Sequence, residues 1–157
     1  MNVLSLFDGM SCGRIALDKL GARVDNYFAS EIEKQPIAVA KYNYPKTQHI
    51  GSVVDVDVAD LPPIDLLIGG SPCQSFSFAG KQKGMSTKCE QKILTLEQYL
   101  DLKRDGFEFE GQSYLFWEYM RILTAIREYN PDVKFLLEIV KMSIHWEEVL
   151  SDNIGCS

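Results

Sequence analysis

The residues best suited to chemistry lie in a loop around Cys73, which reads GGSPCQSFS over residues 69–77. A cysteine attacks as the thiolate, and a loop rich in N–H donors is one way to stabilise that form. Residues 64–68 predict a buried strand, so Cys73 follows a strand's carboxyl end, where open α/β sheets bind ligands. The loop favours a nucleophilic cysteine over the alternative, a small thiol that only fills core space.

A second candidate site is the turn FDGMSCG at residues 7–13, which follows the first predicted strand. Its glycines let the backbone approach a ligand closely, and the helix N-terminus offers free N–H groups to an anion. Glu31 lies 22 residues after Gly9, where a carboxylate can accept hydrogen bonds from ribose hydroxyls. The pair predicts a nucleoside-bearing cofactor, and the lack of a GxGxxG triad disfavours a nicotinamide one. The alternative is an ordinary glycine turn and an exposed glutamate.

A third candidate is Glu138, which ends the last predicted strand after an apolar run. A carboxyl group there is costly unless it is partnered or its pKa is raised, and a raised pKa suits proton donation. If the strand that precedes Cys73 neighbours this strand, about 4.8 Å away, both groups emerge at one edge and a flat heterocycle fits between them. The alternative is a solvated glutamate paired with Lys141.

These residues need a sheet to position them, and apolar runs that alternate with helical patterns predict one. Runs rich in Val, Ile, Leu and Phe predict strands at residues 3–7, 24–29, 48–50, 64–68 and 133–137. Amphipathic spacing predicts helices at residues 13–20, 34–43 and 114–128, with another beginning near Met142. Because strand and helix alternate and residues 66–68 lack a polar face, we expect an α/β fold with a mostly parallel, doubly wound sheet.

The alternating pattern stops between Ala79 and Ser113, where residues 81–88 form a polar, basic loop. Thr95 predicts the N-cap of a short helix, and Gln98 completes a capping box. In the helix at 114–128, six residues predict one apolar stripe that faces the sheet: Leu115, Phe116, Tyr119, Ile122, Leu123 and Ile126.

Composition narrows the class of protein. The chain has 157 residues and a net charge of −6, which argues against binding nucleic acid through bulk charge, although a local basic loop can still do so. The four cysteines form no CxxC pair and the two histidines lie far apart, so we expect neither a disulfide framework nor a metal site. No apolar run approaches the ~20 residues that cross a membrane, and no secretory signal is evident, so a cytoplasmic location is expected.

Taken in order, five segments resemble the first six motifs of the DNA (cytosine-5) methyltransferases: FDGMSCG, the glutamate of SEIEK, GGSPCQSFS, LFWEYMRIL and LLEIVKM. The resemblance spans nearly the whole chain. It implies a Rossmann-like fold that uses S-adenosylmethionine, with double-stranded DNA as partner and the target cytosine flipped into a pocket.

The resemblance also implies roles for individual residues. Cys73 would add to ring carbon 6 of cytosine, and Glu138 would protonate ring nitrogen 3. The remaining residues that it implies divide into two sets. Cofactor contacts would come from Phe7, Asp8, Gly9, Gly13, Glu31, Ile32, Ser52, Pro72 and Leu115; contacts to the base and phosphates would come from Gln74, Ser75, Ser77, Lys81 and Lys83. On pattern alone, Ile32 and Leu115 are equally well explained as core residues.

The chain departs from the family pattern in three ways. Ser52 stands where the family usually has Asp, and Ile139 replaces the Asn that braces the catalytic loop, so turnover should be impaired. The sequence also ends before the family's later motifs and the target recognition domain. We therefore expect residues 1–157 to be the cofactor-binding and nucleophile-bearing part of a bacterial or phage enzyme. Three alternatives stay open: a non-catalytic remnant that binds cofactor or a partner chain, an enzyme completed by a separate C-terminal chain, and a tRNA methyltransferase.

Overall fold

The computed structural model describes residues 1–72, 93–109, 112 and 114–138 and contains one five-stranded parallel sheet. Its strands are β1 (Asn2–Leu6), β2 (Asn26–Ser30), β3 (Gln48–Gly51), β4 (Leu66–Gly70) and β5 (Lys134–Glu138), in the order β3-β2-β1-β4-β5. The helices are α1 (Cys12–Lys19), α2 (Lys34–Asn43), α3 (Leu96–Arg104) and α4 (Tyr114–Tyr129). The predicted α/β class, the strand count and the parallel arrangement are confirmed.

The predicted elements agree with the observed ones to within two residues at each boundary, which is the ordinary uncertainty of element ends. The largest shift is at β4, which begins at Leu66 although the apolar run begins at Ile64. Asp65 explains the shift, since its side chain accepts a hydrogen bond from the backbone N–H of Asn2 and its own N–H donates to the Asn2 carbonyl. Ile64 is nevertheless fully buried.

The strand register places the carboxyl ends of β1, β2, β4 and β5 at one edge of the sheet. β1 is central, and pairs Leu6 with Ser30 of β2 and with Gly69 of β4. β4 and β5 are hydrogen-bonded neighbours, and Gly70 is the partner of Glu138. The condition that the sequence left open, adjacency of these two strands, is met.

The chain divides into two compact units. The first contains Met1–Ser71 and Ile122–Glu138, and so includes the whole sheet together with α1 and α2. One core cluster of this unit is Val3, Tyr27, Ala29 and Ile68, with Leu17 of α1 packed against it. Most residues of β1, β2 and β4 are buried, as expected for parallel strands that helices cover.

The second unit contains Pro72–Arg121 and Ile139–Ser157, and therefore α3 and the first half of α4. Thr95 caps α3 as predicted, since its side chain accepts from the N–H of Gln98. The Gln98 side chain accepts from the N–H of Leu94, however, and not from Thr95, so the predicted reciprocal capping box is wrong in that half.

The α4 helix is buried more widely than the predicted stripe. Five of the six stripe residues are buried, but Leu115 is only partly buried, while Trp117 and Glu118 are fully buried outside the stripe. A glutamate with 0% exposure needs partners, and Glu118 accepts hydrogen bonds from Tyr99, Lys103 and Arg121. Amphipathic spacing gave no sign of this buried charge.

Several predicted features lie outside the described residues. They are the basic loop at 81–88, the helix near Met142, Lys141 and Ile139, and six site residues, Cys73, Gln74, Ser75, Ser77, Lys81 and Lys83. Within the described residues, no helix is long and apolar enough to span a membrane.

Candidate active site

A groove opens at the carboxyl edge of the sheet, above the ends of β1, β4 and β5. Its volume is about 290 Å³. The lining residues come from the first unit only: Ser5, Leu6, Phe7, Asp8, Cys12, Gly13, Ala16, Ile68, Gly69, Gly70, Leu136 and Glu138. The turn predicted to bind a cofactor and the glutamate predicted to act on a substrate thus share one groove.

The turn between β1 and α1 has an unusual backbone. Phe7, Gly9 and Ser11 have φ angles of 56°, 59° and 64°, all in the left-handed region. Only glycine adopts this region without steric cost, so Phe7 and Ser11 must be held there by other contacts. Ser11 is the N-cap of α1, yet its side chain makes no capping hydrogen bond there. The first N–H groups of α1 therefore do not donate to the side chain of their own cap, and Cys12 and Gly13 at this end of the helix line the groove.

The buried carboxylate of Asp8 supplies some of the contacts that hold the turn. Its Oδ1 accepts from the Tyr27 hydroxyl at 2.7 Å, and its Oδ2 accepts from the Ser11 hydroxyl at 2.5 Å. The Asp8 N–H also donates to the carbonyl of Ser30. Burial, and secondarily the neighbouring Asp8 charge, raises the pKa of Tyr27 far above its ordinary value, so Tyr27 remains a hydrogen-bond donor.

Gly13, in the first turn of α1, is required by close approach. A Cβ at this position would lie 2.2 Å from Cδ1 of Ile68 and 3.2 Å from the Tyr27 hydroxyl. A side chain at position 13 would therefore press on the end of the Ile68 side chain, which lines the same groove. This is a steric role, in addition to the predicted contact with a ligand.

Glu31 is organised by the backbone around it. Its Oε2 accepts from the N–H of Gly9 at 2.9 Å, while its Oε1 accepts from Ile32 and Glu33 at 2.7 and 2.9 Å. A carboxylate has about four acceptor positions, so these bonds leave Oε2 able to accept one more. The alternative of a simply solvated glutamate is wrong, because this carboxylate connects the end of β2 to the glycine turn.

Ile32 and Ser52 were also predicted to contact the cofactor. Ile32 is 67% exposed, which excludes the alternative that it is a core residue and leaves its side chain available to a ligand. Ser52 follows β3 and precedes a single 3₁₀ turn, Val53–Asp55. Gly51, with φ of 82°, ends β3 and accepts a hydrogen bond from the Ser30 hydroxyl.

Glu138 lies beside Gly70, as the strand register requires. If Gly70 had a Cβ, that atom would lie 3.6 Å from Oε2 of Glu138, so the glutamate side chain passes over the end of β4. Glu138 is exposed, as is Leu136 on the same strand. The carboxyl group therefore faces open space at the groove.

The remaining described site residues give mixed information. Pro72 and Leu115 belong to the second unit and are both partly buried, and their predicted cofactor contacts stay predictions. Cys12, to which the sequence assigned no role, is exposed and lines the groove. No cluster of His, Cys, Asp and Glu in the described ranges has the makings of a metal site.

Two residues of this site were not identified from the sequence, Tyr27 and Ser11. Tyr27 is 19 positions after Asp8 in the sequence, so their contact is a tertiary one. The alternation of side chains along β2 places Tyr27 and Ala29 on one face, but it does not specify a hydroxyl partner.

Comparison with known proteins decides the family. A family model described as C-5 cytosine-specific DNA methylase matches residues 1–150. The chain belongs to this family. The resemblance that the sequence motifs indicated is thereby confirmed.

The alignments with individual methylase relatives include most of this chain but only a small part of each relative's length. An orphan methyltransferase M.Rho11sI of Bacillus phage rho11s is 36% identical over 107 residues, 67% of this chain and 21% of the relative. The type II methyltransferase M.NgoBV of Neisseria gonorrhoeae is 38% identical over 113 residues, 69% of this chain and 27% of the relative. The type II methyltransferase M1.ScrFI of Lactococcus lactis subsp. cremoris is 32% identical over 139 residues, which are 88% of this chain and 28% of the relative. The chain thus spans about a quarter of these methylases.

Solved structures support the fold. The S. pombe Dnmt2 methyltransferase has a TM-score of 0.61 at 16% identity, covering 99% of this chain and 40% of that one. A mutant of Spodoptera frugiperda DNMT2 has a TM-score of 0.57 at 19% identity, covering 98% and 40%. The five-stranded parallel sheet is thus the methyltransferase sheet that the motifs predicted.

Proposed function

We propose that this chain is the cofactor-binding and nucleophile-bearing part of an enzyme that methylates carbon 5 of cytosine in DNA. The observation that carries the proposal is the pairing of Gly70 with Glu138 at the edge of the glycine-turn groove. Cys73 follows Gly70 by three residues, so it leaves the same strand end that Glu138 faces.

The residues at this edge of the sheet suit S-adenosylmethionine by the chemistry of their donors and acceptors. The N–H groups at the N-terminus of α1 would donate to the cofactor's carboxylate, and its ribose hydroxyls would donate to the free position of Glu31. Gly9 and Gly13 would allow close approach to the methionine portion. Exposed Ile32 would cover one face of the adenine, and Ser52 would hydrogen-bond its edge.

In the proposed reaction the thiolate of Cys73 adds to carbon 6 of a cytosine while Glu138 protonates nitrogen 3. The two steps make carbon 5 nucleophilic, and a bound S-adenosylmethionine would supply the methyl group. The donor would leave as the neutral thioether S-adenosylhomocysteine. A base then removes the proton from carbon 5, the sulfur–carbon bond to Cys73 breaks, and the proton on nitrogen 3 returns to Glu138, which restores the aromatic ring.

The substrate in this proposal is double-stranded DNA with the cytosine flipped out of the helix. Gln74, Ser75 and Ser77 would contact the base, while Lys81 and Lys83 would contact the phosphates. The bacterial and phage sources of the relatives support a cytoplasmic site of action.

The test of the mechanism uses DNA that carries 5-fluorocytosine, which lacks the proton at carbon 5 and so traps the Cys73 adduct. We expect the full-length protein with S-adenosylmethionine to form an adduct that survives denaturing electrophoresis. The Cys73→Ala variant should form none, whereas Cys156→Ala, a cysteine control outside the family match at residues 1–150, should still form it. An adduct that persists in Cys73→Ala would defeat the mechanism.

A second candidate, a non-catalytic remnant that binds cofactor, is favoured by the two replacements Ser52 and Ile139 in otherwise matching motifs. Calorimetry with S-adenosylmethionine and the adduct assay together separate the candidates. Binding without an adduct supports the remnant, and an adduct supports the enzyme.

A further inference from the structure

We infer that Tyr27 is a positioning residue that acts through Asp8 to hold the β1–α1 turn in the shape that binds the methionine portion of the cofactor. The inference rests on the proposed function and adds to it a residue that none of the motifs contains. Tyr27 lies beneath the turn, and the inference gives it no contact with the reacting atoms.

The contact is direct and shielded from water. Tyr27 is 2% exposed, and its hydroxyl donates to Oδ1 of Asp8 at 2.7 Å. Ser11, with 0% exposure, donates to Oδ2. Because Asp8 is itself buried, each of these donors compensates for a loss of hydration, and removal of either leaves a carboxylate oxygen short of a partner.

The turn needs such support because its backbone is unfavourable. Phe7 and Ser11 flank Asp8 with positive φ angles, which non-glycine residues keep only where surrounding contacts impose them. The bond from Ser11 is local to the turn, whereas the bond from Tyr27 comes from β2. Tyr27 therefore connects the strained turn to the rigid sheet.

Tyr27 also lies directly below the beginning of α1. Its hydroxyl would be 3.2 Å from a Cβ on Gly13, and the guanidinium of Arg14 lies 5.9 Å from the centre of its ring. The hydroxyl thus lies beneath both the turn and the first residues of the helix. In the proposed function these two segments face the methionine portion, while Glu31 and Ile32 face the nucleoside.

The division between the two halves of the cofactor defines the experiment. The full chain and its Tyr27→Phe variant are titrated by calorimetry with S-adenosylhomocysteine, which contains both halves, and with adenosine, which contains one. We expect about tenfold weaker binding of S-adenosylhomocysteine, the effect of one lost hydrogen bond to a charged acceptor. Adenosine binding should change by less than about twofold, since its contacts lie at Glu31, which keeps two of its three bonds, those from Ile32 and Glu33, when the turn shifts.

The matched control is Tyr42→Phe, because the Tyr42 side chain is 88% exposed. This variant should bind both ligands with the affinity of the wild type. A purely structural role for Tyr27 predicts an equal loss for both ligands and would overturn the inference. So would an unchanged affinity for S-adenosylhomocysteine. If a thermal scan shows that Tyr27→Phe is destabilised, both titrations are made below its melting temperature, with the same two expected outcomes. A Tyr27→Phe variant that folds at no temperature would show a purely structural role and would also overturn the inference.

The two hypotheses fail in different ways. A wild-type chain that binds neither ligand contradicts the proposed cofactor site and the inference with it. A wild-type chain that binds both, with a Tyr27→Phe variant that keeps the same ratio of affinities, contradicts the inference alone.

Discussion

At the scale of single residues, two carboxylates organise the site, and both accept hydrogen bonds from other groups of the protein. Asp8 receives two side-chain hydroxyls, and Glu31 receives three backbone N–H groups. The bond from Gly9 to Glu31 joins the two clusters, so the turn after β1 and the end of β2 form one preorganised surface. Preorganisation of this kind lowers the cost of ordering groups when a ligand binds.

Gly13 gives the first prediction at this scale. Gly13→Ala should destabilise the protein by about 1–3 kcal/mol, although alanine is the better helix former, because its methyl group would overlap Cδ1 of Ile68. The measurement is the free energy of unfolding from a urea titration.

Ile68→Val supplies the matched partner for Gly13→Ala, since valine lacks the Cδ1 atom. Alone it should cost about 1 kcal/mol. In the double variant the two losses should be clearly less than additive, because the overlap has been removed. Additive losses, or a Gly13→Ala variant as stable as the wild type, would show that the steric explanation is wrong.

Among the elements, the pairing of β4 with β5 matters most for the site. The register aligns Gly70 with Glu138, so β4 ends at the level of the candidate acid. A shift of one residue would turn the Glu138 side chain to the opposite face. The adduct experiment with the Cys73→Ala control therefore tests the consequence of this alignment as well as the nucleophile.

The contact of α3 with α4 gives a second prediction. Fully buried Glu118 on α4 accepts from Tyr99 and Lys103 of α3 and from Arg121 of its own helix. Glu118→Gln removes the charge and one acceptor oxygen, so we expect a loss of about 3 kcal/mol in the free energy of unfolding. The exposed Glu97 in the first turn of α3 is the control, and Glu97→Gln should change stability by less than about 0.5 kcal/mol. If Glu118→Gln lost as little stability as Glu97→Gln, the buried contacts of Glu118 would make no net contribution to the free energy of unfolding.

For the whole molecule, His49 predicts how stability depends on pH. Burial, and secondarily the charge of Lys41, lowers the pKa of His49 below its usual value, although Asp8 acts in the opposite direction. Both ring nitrogens are buried, and neither has a hydrogen-bond partner among residues 1–72, 93–109, 112 and 114–138.

The sign of the effect follows from proton binding. At pH values just below the ordinary histidine pKa, ~6.5, the unfolded chain binds a proton at His49 that the folded chain does not. The stability that neutral His49 contributes should therefore be fully present above this pH, and it should decrease as the pH falls below it. Thermal unfolding of the wild type and His49→Gln between pH 5 and 8 tests this, and His49→Gln should show a shallower decline. Parallel curves for the two proteins would contradict the prediction.

The sequence alone determined the order of strands and helices, the parallel α/β class, the family and the positions of its motifs. Each depends on local information: the spacing of apolar residues, the caps, and runs of specialised residues such as the loop at 69–77. Tertiary structure decided that β4 lies beside β5, that Tyr27 and Ser11 share Asp8, and that Glu118 is buried among three donors. Most of these contacts join residues on different elements, and hydrophobic periodicity, which specifies a face but not a partner, cannot identify them.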